Sequence, residues 1–221
     1  MDIEHFLKLR INFIKYFYET SVVPFENIKS LIDAGKEPYS PKYGYEESEP
    51  SFLLEWEEAV TGINTISQTC LSLLSSSFLL FMESYFVRLK QTHTKNIKLN
   101  PKKGKFNGYK MALENLGYSF KKCGVDLGII EQITLARNRV QHPGEISDLR
   151  VSHAKSDLEK YPNPYFINEY ESKMSLDENG DISWWYPPSV EPNKEKIFFA
   201  ILTVEKFVSW LEKEYWKDYN A

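Results

Sequence analysis

Apolar residues recur along this chain at steps of three and four, the spacing of one helix face. Phe6, Leu9, Phe13, Tyr16 and Phe17 predict a first helix over about Ile3 to Glu19. Pro24 ends or restarts it, and Phe25 to Ala34 reads as a short helix stopped by Gly35. Residues 36–50 mix Pro, Gly, Ser and Tyr without a period, as a surface loop does. From Ser51 one apolar stripe runs through Phe52, Ile66, Cys70, Phe78 and Tyr85 to about Leu89. It predicts a single long helix, the spine of a bundle, with Gly62 and Ser75-Ser76-Ser77 as candidate bends.

Further on, Phe106 to Leu116 is closed by Gly117, Tyr118 to Lys122 by Gly124, and a helix begins at Leu127 with Asp126 as its cap. Residues 145–161 are mixed and weakly helical as far as Pro162. Then the period changes to two. Tyr170, Ser172, Met174 and Leu176, followed by Ile182, Trp184 and Tyr186, alternate about Asn179-Gly180, which predicts a β-hairpin over about 165–186. Ile197, Ile201, Val204, Val208, Leu211 and Tyr215 restore the helical rhythm in the last segment. The expected architecture is one all-α domain over 1–221, an up-and-down bundle with its core in about 51–150 and 193–218 and the hairpin appended.

Composition narrows the class. With 42% hydrophobic and 26% charged residues the chain is globular, not disordered, and 15% aromatic content predicts a ring-rich core. The net charge of −4 argues against a protein that coats nucleic acid with a broad basic surface. Any nucleic acid must then be met locally. The most basic stretch holds Lys95, Lys98, Lys102, Lys103 and Lys105; it reads as a solvated loop or, if RNA is bound, as a contact for the backbone together with Arg139. Cys70 and Cys123 lack metal-ligand spacing and read as reduced thiols.

The N-terminal Met1-Asp2-Ile3-Glu4-His5 is unlike a signal peptide, and the run Leu71 to Phe86, broken by serines and Glu83, falls short of a membrane span. A cytoplasmic location is expected. No Gly-rich phosphate loop, G-x-S-x-G elbow, H-E-x-x-H pair or paired Cys/His set is present, so neither cofactor nor metal is expected.

Candidate chemistry concentrates in Ala136-Arg137-Asn138-Arg139-Val140-Gln141-His142-Pro143-Gly144. On a continued helix Arg137 and His142 point roughly 140° apart. Pro143 biases His142 toward extended geometry, which lets the imidazole leave the helical track and turn back toward the guanidinium. Asn138, one turn before His142, shares its side. The cluster joins a permanent cation suited to phosphate, an imidazole that titrates near neutrality and an amide able to orient either.

Arg137-Asn138-x-x-x-His142 at a helix end, followed by Pro-Gly, resembles the signature of the HEPN superfamily. The resemblance covers the motif and, more loosely, the flanking helices. It implies an up-and-down bundle, commonly dimeric, and, in catalytic members, a metal-independent endoribonuclease serving as a toxin or antiviral effector under an antitoxin or other regulatory protein. Related sequences often carry an acidic residue on the central helix. Here Glu83 is the candidate, as a carboxylate that either reaches the surface or orients His142 or Arg137.

The residue chemistry is compatible. RNA supplies its own nucleophile, the 2′-hydroxyl, so an enzyme needs a proton acceptor, a proton donor and charge stabilisation. His142 suits the proton transfer, Arg137 the phosphate and Asn138 the orientation of either. One His is too few for both acid and base, so two motifs across a two-fold axis are expected. Two other readings stand beside this one: a non-catalytic module that holds a protein or nucleotide through the same face or through Trp184-Trp185-Tyr186, and a purely structural helix stop whose Arg pairs with carboxylates.

Overall fold

The computed structural model describes residues 2–40, 50–92, 97, 99, 104–142, 144, 150–174 and 187–219. Among them 75% helix and no strand define an all-α protein. In chain order the helices are α1 (Ile3–Ser21), α2 (Val23–Asp33), α3 (Leu53–Thr92), α4 (Lys105–Asn115), α5 (Leu127–Gln141), α6 (Lys155–Lys160), α7 (Glu169–Met174) and α8 (Lys194–Tyr219), with a 3₁₀ turn at Phe120–Lys122.

α3 is the spine. Its 40 residues run unbroken past both Gly62 and the serine cluster, a length of about 60 Å. Gly62 is not a bend but a contact point: a Cβ there would lie 2.4 Å from the Phe25 ring, so the missing side chain lets α2 approach. Cys70, Leu71, Leu74, Phe78, Met82 and Tyr85 are fully buried on it. By length and composition α3 also reaches the threshold of a membrane-crossing helix, but 56% of its most apolar window is buried against other helices. That burial is what a bundle's central helix shows.

Around α3, the helices α1 and α5 each pack against both α3 and α8. The four therefore form a bundle in which α1 and α5 occupy opposite corners. The core is one connected cluster drawn from α1, α3, α4, α5 and α8, with Phe78 touching Phe106 of α4 at 5.8 Å and Phe207 of α8 at 6.0 Å between ring centroids. Tyr85 ties α3 to α8, its hydroxyl donating to the Leu211 carbonyl at 2.9 Å. Gly117 ends α4 in the left-handed region at φ 100°, as a helix stop without a Cβ can.

Two expectations change. The stripe that predicts α1 is not its core face: Ile3, Leu7, Ile11, Ile14 and Tyr18 are buried, whereas Phe6, Leu9, Phe13 and Tyr16 face outward. The helix carries two apolar stripes, and the aliphatic one packs. The first arm of the expected hairpin also differs. Residues Glu169–Met174 are helical, because the Asn168 side chain accepts from the Tyr170 N–H at 2.7 Å and so caps a helical turn. The rest of the hairpin, residues 175–186, lies outside the described residues.

Candidate functional site

The motif closes α5. Asp126 caps its start, accepting from the Gly128 N–H at 2.7 Å, and Ile129, Ile130, Ile133 and Ala136 bury one face against the core. This packing fixes the rotation of the last turn and leaves Asn138 and His142 exposed, with Arg137 half-buried at its edge.

His142 is the C-cap at φ −132° and ψ 68°, off the helical track, as expected of a residue that precedes proline. Its side chain is exposed. Asn138 contacts Arg137 through its side chain and His142 only through the backbone bond of the helix end. Its carbonyl accepts from the His142 N–H at 3.0 Å, and its side-chain oxygen accepts from Arg137 Nη1 at 3.1 Å. Arg137 itself is half-buried, and its Nε is shielded from solvent with no hydrogen-bond partner among the described residues.

The two arginines of this turn have different environments. Arg139 Nε donates to Asp157 Oδ2 at 3.1 Å, and Asp157 is 8% exposed on α6. Arg139, expected as an RNA contact, thus has its charge compensated inside the protein and holds α6 to α5. Among the described residues no carboxylate lies within ion-pair distance of Arg137. Arg137 thus touches Asn138 and has donors left over, and among the described residues no hydrogen bond joins its guanidinium to the His142 ring.

Glu83 takes the surface alternative. It is exposed on the outer side of α3, where it reinforces the effect of burial in pushing the Tyr109 hydroxyl up to about 12. Among the described residues no hydrogen bond or ion pair joins it to Arg137 or His142, so it does not orient either. Lys105 is the exposed first residue of α4; Lys102 and Lys103 lie outside the described residues.

Sequence reasoning missed the polar support beneath the motif helix. Glu131 of α5 accepts from Asn107 Nδ2 at 2.7 Å and from the Tyr161 hydroxyl at 2.8 Å, and pairs with Lys160. Those three partners hold its carboxyl below the usual range although burial alone pushes it up. Gln132 accepts from the Tyr165 N–H at 2.7 Å. Nothing in the local pattern signals these bonds, since each partner is distant in sequence.

His153 was also missed. It is buried, and its Nε2 donates to the Phe166 carbonyl at 3.1 Å. Burial pushes its pKa below the ordinary 6.5, against smaller opposing effects of that bond and of Asp157. The neutral ring is thus the native form. Its contribution to stability is intact above the unfolded pKa and is lost as pH falls through the folded one. Thermal melts should show a lower midpoint at about pH 5 than at about pH 7.5, and His153→Gln should reduce that difference. An unchanged pH dependence in the variant would assign the effect to other groups.

Among the described residues no group of three His, Cys, Asp or Glu side chains is placed to hold a metal ion. Burial raises the Cys70 thiol to about 12, which makes it an inert core residue. No protein-family model matches this chain, and neither a curated protein nor a solved structure is detectably similar to it.

Proposed function

We propose that this protein is a metal-independent endoribonuclease with a bundle of the HEPN kind, cutting single-stranded RNA by attack of the 2′-hydroxyl on the adjacent phosphate. The observation that carries this reading is the contrast within one helical turn: Arg139 pairs with Asp157, whereas Arg137 touches only the Asn138 amide and has no carboxylate partner among the described residues, on the helix that the exposed His142 ends.

In this reading Arg137 holds the non-bridging phosphate oxygens and stabilises the charge that builds on them at the transition state. His142 takes the proton from O2′ as the O2′–P bond forms. The P–O5′ bond breaks, and O5′ takes a proton from a second His142 supplied by another copy of the chain. The products are a 2′,3′-cyclic phosphate and a 5′-hydroxyl. Asn138 is a positioning residue, holding the guanidinium through its side-chain oxygen. Such an activity suits a cytoplasmic toxin or antiviral effector restrained by a regulatory protein.

The test is incubation of the purified protein with single-stranded RNA in EDTA. Cleavage with a cyclic phosphate terminus is expected. An otherwise identical substrate with 2′-deoxyribose at the scissile position should stay intact, and Arg137→Ala should lower the rate by about 10²-fold or more, as loss of one transition-state donor does. RNA left whole at high protein concentration would end the proposal.

A further inference from the structure

The outward stripe of α1 is an apolar feature that the bundle leaves unexplained. Phe6, Leu9, Phe13 and Tyr16 are 52%, 52%, 58% and 64% exposed, and they lie on the side of the helix away from its buried stripe. Leu80 of α3 shares a groove of about 250 Å³ with Phe6 and Arg10. α1 and α3 run antiparallel, since the Cys70 thiol reaches the Ile14 carbonyl while Ile3 lies by Phe81. Leu73, also exposed, is then level with the middle of α1. Isolated exposed apolar residues are ordinary on a soluble protein; a contiguous face of six is an interaction surface.

We infer that this face docks a second copy of the same chain, with the two α1 helices antiparallel across a two-fold axis. The spacing supports self-pairing. Positions 6, 9, 13 and 16 step by three, four and three, an order that reads the same in both directions. An antiparallel copy therefore sets Phe6 against Tyr16 and Leu9 against Phe13 of its mate, which is the self-complementarity that a two-fold interface requires.

The area is sufficient. At ~200 Å² for a fully exposed ring and slightly less for a leucine, the exposed parts of these three aromatic and three leucine side chains come to just under roughly 600 Å² per copy and about 1,200 Å² per pair, the lower bound of specific interfaces. The rim is neutral. Asp2, Glu4 and Glu19 balance Lys8, Arg10 and Lys15, so the face lacks the basic excess of a helix that lies on anionic lipid and offers no net charge to a charged partner.

This pairing is separate from the motif. Because α1 and α5 occupy opposite corners of the bundle, it leaves Arg137 and His142 uncovered, and the α5 side remains available for the motif-to-motif contact that two-histidine chemistry needs. It does not rest on the nuclease reading, and its test reads mass, not cleavage.

The experiment is light scattering after size exclusion, with the full chain at 1–100 µM, alongside Leu9→Asp and the milder Leu9→Ser. The wild type is expected as a dimer or a larger even assembly. Leu9→Asp should halve the mass, weakening association by about 100-fold or more because each substitution enters the interface twice. Its helical circular dichroism should persist, since Leu9 is exposed within one copy. Leu9→Ser keeps the test valid if the aspartate disturbs folding. In a mixture of Leu9→Cys and Phe13→Cys, oxidation should favour the mixed disulfide. A monomeric wild type at 100 µM, whether or not that face then proves to bind vesicles or another protein, overturns the inference. So do an assembly whose mass both Leu9 variants leave unchanged and an excess of Leu9–Leu9 disulfides over mixed ones.

Discussion

Replacing His142 with alanine is expected to lower the rate of RNA cleavage in EDTA by about 10²–10⁴-fold, the usual worth of a positioned general acid or base. Its side chain is exposed, so the melting temperature should barely move, as for surface substitutions generally. Arg139→Ala supplies the opposite signature. It strands the buried carboxylate of Asp157, which costs stability, while Arg137, Asn138 and His142 are left in place. Rates and melting curves for the two variants then separate chemistry from scaffolding. Full activity in His142→Ala would remove the imidazole from the mechanism; a large loss of folding in it would show that the C-cap matters more than the ring.

The largest effect on stability is expected from Phe78→Ala, which should cost about 3–5 kcal/mol. Phe78 has no exposed surface and stands where α3, α4 and α8 meet, with Phe106 and Phe207 against its ring. Three rigid helices cannot all close on the void, so the cavity persists. For a chain of this size the loss lowers the melting midpoint by roughly 10 °C. Phe78→Leu, which keeps most of the volume, should cost no more than about 1.5 kcal/mol. Urea denaturation of the three proteins measures both values, and an alanine variant within 1 kcal/mol of wild type, an order-of-magnitude threshold, would show that the neighbouring rings collapse into the space.

Much of the fold is legible in the sequence where a single stripe governs a helix. The α3 positions Ile66, Cys70, Leu74, Phe78, Phe81 and Tyr85 and the α8 stripe Ile197, Ile201, Val204, Val208, Leu211 and Tyr215 are buried as their spacing predicts, whereas the start of the α3 stripe, Phe52, Trp56, Val60 and Ile63, is only half-buried. α1 shows where that logic stops. Its aliphatic and aromatic stripes both satisfy three-four spacing, and only packing decides which one turns inward. At residues 170–174 a short alternation mimics a strand, but one capping bond from Asn168 outweighs it. At the site, the departure of His142 from the helical track follows from the proline that succeeds it. Arg139 is different, because its partner Asp157 comes from a later helix. The exposure of Glu83 likewise depends on how α4 and α5 pack against α3 and leaves no local signal.

The bond from Tyr85 to Leu211 spans 126 residues, and it joins the spine to the α8 segment, which is synthesised long after it. Until then α3 has part of its apolar surface uncovered, as does α1 on both sides. Closure of the core must therefore wait for the distal segment and bear the entropy of a long loop. During synthesis the nascent chain is a half-built bundle with exposed rings, the kind of intermediate on which chaperones act.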